Sequence, residues 1–384
     1  MTVVAPSSRA PGLPERFYAP DFVVEIGGRA LDQESKGDVL ELKVEMGLKE
    51  MTSADLKLNN YDDRTFDLKW SDSEDFRLGS QVHVQMGYAE QILSMMRGYI
   101  TTIAPDFPAD GSPTLTVRAL DGFVRLKDSK PPEGEVTYKD KADWQIAQQI
   151  GRRHQLRVAV TETGPVHPLV VQKNDDAGFL QERAALNDFH VFVRTDPDTG
   201  EDVLHFVTPA DGRGSEPIRT FVLAWGSLRS TDVEASLLEF KPTLAGGDQV
   251  QQVTVRGWDP VTKKPISQTA TADNTPGIPR VDQATGPAEA KTLSGKEGRK
   301  EVVADRPVFS EEEALRLAQA MLAKRAYSFL TAHGKLIGLP DLRPDDDVEI
   351  HGVGRRFSGL YHVEKVSHTI NKTGYLTEFD ARKA

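Results

Sequence analysis

Histidine is the first residue type in this sequence that could do chemistry, because its ring nitrogens bind metals and exchange protons near neutral pH. The chain has nine histidines and no cysteine, which excludes disulfides and thiolate metal sites. His362 and His368 share one face of a predicted strand, but six residues of extended chain hold them about 20 Å apart. Too few other ligand types converge on these two or on His351 to complete a zinc site. The sequence therefore predicts no metal site. It predicts instead that neighbouring groups satisfy the hydrogen-bonding nitrogens of these histidines.

Carboxylates occur in two short runs that could suggest calcium binding or acid catalysis. The run Asp345-Asp346-Asp347 lacks the spaced ligands and the glycine of a known calcium loop, so it is interpreted as a solvated turn. The run Glu311-Glu312-Glu313 falls in the first turn of a predicted helix, where negative charge complements the helix dipole. Neither run predicts a catalytic pair.

The motif Gly352-Val353-Gly354-Arg355-Arg356-Phe357 begins like a dinucleotide fingerprint but lacks its last glycine. It also lies between predicted strands rather than at the start of a helix. The sequence contains no P-loop, G-x-S-x-G or H-E-x-x-H motif. No nucleotide or hydrolase signature is present.

Two further groups of side chains have plain structural explanations. The cluster Arg152-Arg153-His154 would place cations at the C-terminal end of a helix, where they favour the dipole. Core or interface packing explains three tryptophans better than a ligand cage does, namely Trp144, Trp225 and Trp258. We therefore predict no catalytic, cofactor-binding or metal-binding residues, and a protein that is not an enzyme.

Composition narrows the class of protein. The 384 residues are 38% hydrophobic and carry 58 acidic against 47 basic side chains, a formal charge of −11. This charge argues against stable nucleic-acid binding, which needs a basic footprint, although an acidic wall would let a polyanion slide past. No apolar run is long enough for a membrane helix, and residues 1–20 contain four prolines without the apolar core of a secretion signal. We expect a soluble product of the bacterial cytoplasm with an extended N-terminal arm at 1–20.

The elements needed to position these side chains are mainly strands. Turn residues and alternating polarity predict a small β-barrel or sandwich over 21–127 and a small α+β insert over 128–218. A second barrel is predicted from 219–260 and 331–384. Between its halves, the Pro- and Gly-rich segment 261–309 has few large apolar side chains and predicts a long loop or linker. A capping box that starts at Ser310 predicts a helix over 310–330.

The last fifty residues give the clearest strand pattern. Asn371-Lys372-Thr373-Gly374 predicts a tight turn between two long alternating runs, 359–370 and 375–382, because Asn and Gly adopt the turn conformations that other residues resist. A hairpin of this length cannot bury one face by itself. It must complete a sheet that begins elsewhere in the chain.

Three segments resemble the late control protein D family. Members of this family are the hub proteins of contractile phage tails and of phage-tail-like injection particles, and they are similar to the hub part of type VI secretion spike proteins. The segments are GYITTI and TLTVRALD within 98–121, DAGFLQERAALNDFHVFV at 176–193, and GLPDLRPDDDVEIHG, FSGLYHVEKVSH and YLTEF within 338–379. The resemblance covers most of 21–260 and 309–384. It departs at Pro344-Asp345, where the family usually has Pro-Gly.

The resemblance implies a trimeric ring with two tail-tube-like barrels per chain, which matches a hexameric tail tube to a trimeric spike. A closed ring also pairs strand edges that would otherwise aggregate. Because the chain ends at Ala384, without the needle of some family members, the resemblance implies a separate spike protein.

The leading hypothesis is a structural baseplate hub that lines the channel, acts in the assembled virion tail or phage-tail-like particle, and contacts tube, spike and other baseplate proteins. The function would then lie in the barrel edge strands, the exposed hairpin 359–382 and an apolar stripe on helix 311–330, formed by Leu315, Ala318, Leu322 and Ala326. Two alternatives remain open. A tail-associated cell-wall hydrolase would need a tuned acid and a second carboxylate or metal, and a host-surface adhesin would have no affinity for tube protein.

Overall fold

A computed structural model describes residues 19–89, 91–127, 129, 136–187, 189–196, 199, 201–208, 219–226, 235–259, 262–281, 284–294, 298–306 and 308–384. Within these ranges the chain is mainly β, as predicted, with a few helices. The predicted arm at 1–20 lies outside them up to residue 18, and Pro20 already belongs to the first strand.

The first unit is built almost entirely from strands whose residues alternate between a buried and a more exposed face. In order they are β1 (Pro20–Ile26), β2 (Arg29–Ala30), α1 (Gln33–Gly37), β3 (Val39–Gly47), β4 (Ser53–Asn59), β5 (Tyr61–Asp62), β6 (Asp67–Leu68), β7 (Gln81–Tyr88), β8 (Gln91–Asp106) and β9 (Thr114–Asp121). In β9 the side chains of Leu115, Val117 and Ala119 are buried, as the period-two pattern predicts.

The insert is an α+β unit. After a 3-10 helix (Gly122–Leu126) it contains β10 (Val136–Ala142), α2 (Asp143–Arg153), β11 (Arg157–Val160), β12 (Val166–Gln172), α3 (Asp176–Asn187), β13 (His190–Thr195) and β14 (Asp202–Val207). Strand β14 lies between β11 and β13. One face of this sheet packs on the helices through Leu204 and Phe206, which contact a core that includes Ile146, Ile150 and Leu180.

The remaining elements form the second β unit and a small third sheet. They are β15 (Thr220–Trp225), β16 (Ala235–Leu244), β17 (Gln252–Asp259), β18 (Lys264–Thr271), β19 (Arg280–Val281), β20 (Ala284–Thr285), α4 (Gly286–Ser294), β21 (Lys300–Val303), α5 (Glu311–Tyr327), β22 (Leu330–Ile337), β23 (Asp347–His351), β24 (Gly359–Asn371) and β25 (Gly374–Lys383). The predicted hairpin is confirmed, because Asn371 pairs with Gly374 across the turn.

The second β unit is a closed six-stranded barrel. Its strand order is β24-β23-β15-β16-β22-β25, and β25 closes the ring by pairing with β24 as well as with β22. The interior holds Tyr361, Phe379 and Leu336, all buried. A Cβ added at Gly334 would lie 2.2 Å from the Phe379 ring, so glycine at this position makes room for the aromatic side chain.

The first β unit, predicted to be a barrel over 21–127, is an open sheet that the second unit completes. Its main strands run in the order β1-β7-β8-β9-β4-β3, and β3 then pairs with β24 instead of with β1. Two residues of the terminal hairpin, Ile370 and Tyr375, belong to its hydrophobic core. Tyr88 donates a hydrogen bond of 2.7 Å to the carbonyl of Gly338. The two units therefore share one continuous 13-stranded sheet.

The prediction of a loop or linker at 261–309 is wrong. This segment contains β18 and β21, which flank β17 in the third sheet, and it also contains α4. Strand β17 consequently leaves the predicted second barrel, whose first half ends with β16. The sequence pattern does not indicate these strands, because the apolar side chains that they bury, such as Ile266 and Ala270 against α5, are small or isolated.

Helix α5 begins where the capping box predicts, since Ser310 Oγ accepts a hydrogen bond of 3.1 Å from the Glu313 backbone N–H. Its stripe is not an exposed interface, however. Ala318 and Leu322 are fully buried in the core formed with the third sheet, Ala326 is fully buried as well, and Leu315 is half-buried, so most of the stripe is used inside the chain. The proposed interface on this helix is therefore wrong.

Candidate functional site

The three histidines considered for a metal site lie in different surroundings. His362 contacts Asp345 and Asp347, while the ring of His368 hydrogen-bonds the Leu342 carbonyl at 3.1 Å. His351 is partly exposed beside Glu349. Among the described residues no three His, Asp or Glu side chains gather in a way that could hold a metal ion. The structure separates His362 from His368, as their spacing predicts.

The acidic run at 345–347 is not a solvated turn, and that interpretation is wrong. Asp345 and Asp346 are buried, with 1% and 2% of their surface exposed. Asp345 has a φ of +76°, a left-handed conformation that favours glycine. Asp345 thus adopts glycine-like backbone geometry while adding a buried carboxylate. That carboxylate lies 3.3 Å from the ring of His362.

The Arg152-Arg153-His154 cluster does lie at the C-terminal end of α2, and it also holds a buried acid. Arg153 pairs with Asp176 at the start of α3, and His154 Nε2 lies 2.6 Å from the same carboxylate. Gln172 donates to it as well, at 2.6 Å. Burial alone would raise the pKa of Asp176, but these hydrogen bonds and the arginine charge hold it below the usual value.

A second network mirrors the first across the two helices. Asp143, at the start of α2, accepts a hydrogen bond of 2.6 Å from Arg183 Nε of α3 and one of 2.7 Å from Asn187. His167 of β12 lies 3.3 Å from its other oxygen. Each helix therefore anchors its first residue to an arginine of the other helix and to a neighbouring histidine. No local sequence pattern indicates this network, because the residues that bond to Asp143 are 24 to 44 positions away from it in the chain.

One cluster of this insert has the residue types of a nucleophilic triad without its geometry. Ser129 Oγ and the Asp176 carboxylate both approach the same ring atom, His154 Nε2, at 3.4 and 2.6 Å. A triad needs the hydroxyl and the carboxylate on opposite ring nitrogens, so that the base can take the hydroxyl proton. The cluster is suited to stabilising the insert rather than to catalysis.

A cleft of about 230 Å³ lies where the two β units meet the insert. Its lining includes Asp121, whose pKa burial raises to about 7. Both Asp121 oxygens are engaged, since they accept backbone N–H groups of Thr52 at 2.7 Å and Phe123 at 3.0 Å. This carboxyl therefore caps the 3-10 helix and ties it to the first sheet.

Two arginines of the same cleft donate hydrogen bonds to backbone carbonyls. Arg343 donates to the backbone carbonyls of Ser94 and Leu342 at 3.2 and 3.0 Å, and Arg194 donates to that of Pro344 at 3.1 Å. The bond from Arg343 to Ser94 joins the second unit to the first sheet, and the bond from Arg194 to Pro344 joins the insert to the second unit. The cleft is a junction of the fold, and its polar groups hold the three parts together.

The most extensive polar feature is the outer face of the shared sheet, which we name the charged face. It crosses seven strands in the order β9-β4-β3-β24-β25-β22-β16. The side chains of this face alternate with buried residues along each strand, and acidic and basic side chains are equal in number. They are Arg118, Asp55, Lys57, Glu41, Lys43, Glu45, Lys365, Glu378, Asp380, Lys335, Glu239 and Lys241, together with His333.

Strand register brings opposite charges together on this face. Lys335 Nζ lies 2.7 Å from the Glu378 carboxylate, and His333 lies 2.9 Å from Asp380 on the neighbouring strand. In the first unit, Arg118 lies 3.3 Å from Asp55. Charged side chains directly opposite one another in a sheet attract or repel, so the register selects these pairs.

The pairing crosses the boundary between the two β units at β24. Lys365 of β24 lies 3.8 Å from Glu45 of β3 and 3.4 Å from Glu50. Partial burial alone would raise the pKa of Glu45, but its hydrogen bond to Lys43 and the charges of Lys43 and Lys365 lower it. The charged face is thus continuous over both units and locally balanced, although the whole chain carries −11.

The predicted hairpin interface needs correction in the same terms. Strand β24 pairs with β25 on one side and with β3 and β23 on the other, while β25 lies between β24 and β22. No strand edge of the hairpin is therefore free for a partner. What the hairpin offers is the middle of the charged face.

A family model described as the Alg8 N-terminal domain matches residues 19–372, most of the chain. The chain belongs to this family. No curated protein matches the chain. The family is thus shown by a match that spans both β units and the insert together.

Solved structures share the fold at low sequence identity. The 43 kDa tail protein of prophage MuSo2 from Shewanella oneidensis has a TM-score of 0.67 at 14% identity, covering 94% of this chain and 98% of that one. A tail protein from Neisseria meningitidis has the same score and identity, covering 95% and 97%. A component of the type VI secretion system from E. coli has a TM-score of 0.55 at 14% identity, covering 94% and 76%. Members of this Alg8 N-terminal domain family thus include a chain with the tail-protein fold.

Proposed function

We propose that the chain is a structural baseplate hub of a contractile tail or injection particle. It would assemble as a homotrimeric ring that joins a hexameric tail tube to a separate trimeric spike. The observation that supports this most is the fold shared with tail proteins over nearly the whole length of both chains. Two β units in each of three chains present six tube-like units, which is the symmetry match a hub requires.

The charged face is suited to lining the channel of this ring. A single-signed wall would bind or repel a charged cargo, whereas paired charges leave little net field beyond about one Debye length, 8 Å at physiological salt. The closely paired side chains, such as Lys335 with Glu378, already satisfy each other. Cargo of either sign would pass without lasting contacts. This refines the expectation of a simply acidic wall.

The shared sheet also provides a route for mechanical load. Strand β24 spans 13 residues and pairs with β3 of the first unit as well as β23 and β25 of the second. Force applied to one unit would be resisted by a row of backbone hydrogen bonds in the other. A hub that travels with the spike during contraction needs such a rigid connection rather than a flexible linker.

The proposed partners are a second and third copy of the chain, the tube protein, the spike protein and other baseplate proteins, in an assembled virion tail or phage-tail-like particle. No helix in the described part of the chain is long and apolar enough to cross a membrane. The outer edge of the open first sheet is the proposed site of contact between copies, because unpaired strand edges favour pairing with another chain. Strand β1 is the main candidate, since β2 covers only Glu25 and Ile26 on its outer side.

The hub proposal can be tested by light scattering on the purified protein, alone and after mixing with candidate tube and spike proteins encoded beside it. We expect a trimer that captures both. A monomer indifferent to both would contradict the proposal. A trimer that clears a cell-wall suspension, or binds cells but not tube protein, would favour the hydrolase or the adhesin instead.

A charge-reversal variant separates a channel wall from a contact surface. The double variant Lys335→Glu with Lys365→Glu makes the charged face acidic, and we expect it to assemble and capture both partners as the parent does. The matched control is Lys324→Glu, an exposed lysine of α5 away from this face. Loss of capture in the double variant alone would show that the charged face is an interface.

A further inference from the structure

The insert docks on the β units through one face of its three-stranded sheet. Cross-strand pairs place His190 opposite Val207 and Phe192 opposite His205, all four on the face turned away from the helices. Phe192 and Val207 pack with Leu48, which follows β3 of the first unit. We name this contact the docking seam: His190, Phe192, His205 and Val207 against Leu48 and the turn at 343–347.

Two histidines are buried in the docking seam without a hydrogen-bond partner for one ring nitrogen. The Nδ1 atoms of His190 and His205 both lack a partner among the described protein groups. The His205 ring stacks on Phe192 with ring centroids 4.7 Å apart. Burial lowers the pKa of His190 to about 4 and that of His205 to about 3. Both rings are neutral while the seam is closed.

The charged groups around these rings act in both directions, and burial outweighs them. Asp345 is the acid that faces both of them, whereas the charges of His362, Lys49 and Arg382 oppose a proton on His190. The charge of Arg194 opposes one on His205. Asp345 belongs to the barrel unit. It lies in a turn, has a left-handed backbone conformation, and its carboxylate is 3.3 Å from the ring of His362.

His362 belongs to the barrel side and stays with it. Its ring lies 3.0 Å from Asp347, and both of its acidic partners come from the turn that precedes β23 or from β23 itself. Burial would lower the pKa of His362, but Asp345 and Asp347 raise it above the ordinary value. Its protonation therefore strengthens a contact within the barrel and leaves the docking seam to His190 and His205. Arg382 is likewise held by Glu364, at 3.3 Å.

We propose that the docking seam is an acid-sensitive latch, in which protonation of His190 and His205 releases the insert from the two β units. A proton cannot be accommodated on either ring while it is buried without a partner. Once the seam opens, water solvates both rings and the proton is accepted. Acid therefore favours the open state and exposes the small apolar cluster of Leu48, Phe192 and Val207.

The sign and size of the effect follow from linkage. Both histidines have lowered pKa values when docked, so they favour the closed seam above their ordinary pKa and lose that contribution as the pH falls. At pH 5 a solvated histidine of pKa ~6.5 is almost fully protonated, which favours opening by roughly 30-fold per histidine and by about 10³-fold for both.

Because the chain has no cysteine, a single introduced thiol reports on the docking seam. The variant Val207→Cys places a thiol in the seam, and its labelling by a disulfide reagent active in acid requires opening. The rate is divided by that of Lys372→Cys, on the exposed turn of the terminal hairpin. Between pH 7 and pH 5 we expect the normalised rate to rise by about 600-fold, and by only roughly 25-fold when His205→Phe is added.

Further variants make the result decisive. Adding both His190→Leu and His205→Phe should abolish the rise, while His351→Gln, a partly exposed histidine outside the seam, should leave it unchanged. If the variant with both substitutions does not fold, His205→Phe alone decides the result. A rise below tenfold in Val207→Cys, or an equal rise with and without His205→Phe, would overturn the proposal. Fast labelling at pH 7 of both Val207→Cys and Leu48→Cys would contradict a closed seam.

Discussion

The charged face and the insert use the same residue types in opposite ways. On the charged face, pairs such as Lys335 with Glu378 are about one-third exposed and lie among other charges. In the insert, Asp143 and Asp176 are 5% and 0% exposed, and each is held by an arginine and a histidine. The first arrangement spreads paired charge over a surface, and the second concentrates it at two points.

The difference shows where a charge contributes to stability and where it serves another purpose. Exposed pairs contribute about 0–1 kcal/mol, since water and salt screen them. A buried carboxylate is costly to desolvate, so removing one partner leaves the others unsatisfied. We therefore expect the charged face to tolerate change and the insert to depend on its two acids.

The largest expected effect comes from removing a buried acid. Asp176→Ala would leave Arg153, His154 and Gln172 without their shared acceptor. We expect the free energy of unfolding of the insert to fall by about 3–5 kcal/mol, measured by urea denaturation. The matched control is Glu182→Ala, an exposed acid on the same helix, which should change it by less than about 0.5 kcal/mol. Equal effects from the two variants would remove the distinction between the regions.

The second-largest effect is expected from a change in the core of the closed barrel, on which the charged face lies. Gly334→Val would place a Cβ 2.2 Å from the Phe379 ring inside the closed barrel. We expect a loss of about 1–3 kcal/mol in thermal or urea unfolding, because a well-packed core cannot take in extra atoms.

A compensating change tests this packing explanation. Adding Phe379→Leu to Gly334→Val should recover part of the lost stability, since it returns space next to the new side chain. If the double variant is no more stable than the sum of the two single changes predicts, the steric explanation fails.

Acid should then reduce the contribution of the buried acid. The pKa of Asp176 is lowered from 3.8, so its network stabilises the insert above that value and loses this contribution as the pH falls through the lower folded pKa. The stability difference between the parent and Asp176→Ala should therefore shrink below pH 3.8. Urea denaturation at a series of pH values measures it. A difference that stays constant down to the acid limit would contradict the lowered pKa.

The smallest effect is expected on the charged face itself. A double-mutant cycle with Lys335→Met and Glu378→Gln should give a coupling energy of about 0.2–1 kcal/mol, falling further in high salt. Chemical denaturation of the four variants measures it. A coupling above about 2 kcal/mol would mean that these pairs hold the barrel together. The charged face and the insert would then not differ in how much their charges contribute to stability.

Local sequence patterns predicted several elements well. Asn371 and Gly374 predicted the terminal hairpin, and Ser310 with Glu313 predicted the start of α5. Alternation in 114–120 predicted the buried face of β9. These signals depend on residues close together in the chain, where backbone geometry and burial follow directly from residue type.

The same patterns failed where distant segments decide the outcome. Strand β18 follows β17 directly and pairs with it, but both strands gain their buried face from α5, which lies beyond β21 in the chain. The acidic run at 345–347 has the composition of an exposed turn, but His362 and the insert bury it. For the candidate site, alternation identified outward-facing charges strand by strand. Their assembly into one face required the pairing of β3 with β24.

The sequence alone determined the strand-rich class, the terminal hairpin, the capped helix and the lack of a recognised catalytic motif, because each depends on local residue types and spacing. Only the tertiary structure decided that one barrel closes, that the other sheet is completed by Ile370 and Tyr375, and that two histidines become buried in a seam. Those outcomes depend on contacts between segments up to hundreds of residues apart, whose register no local pattern encodes.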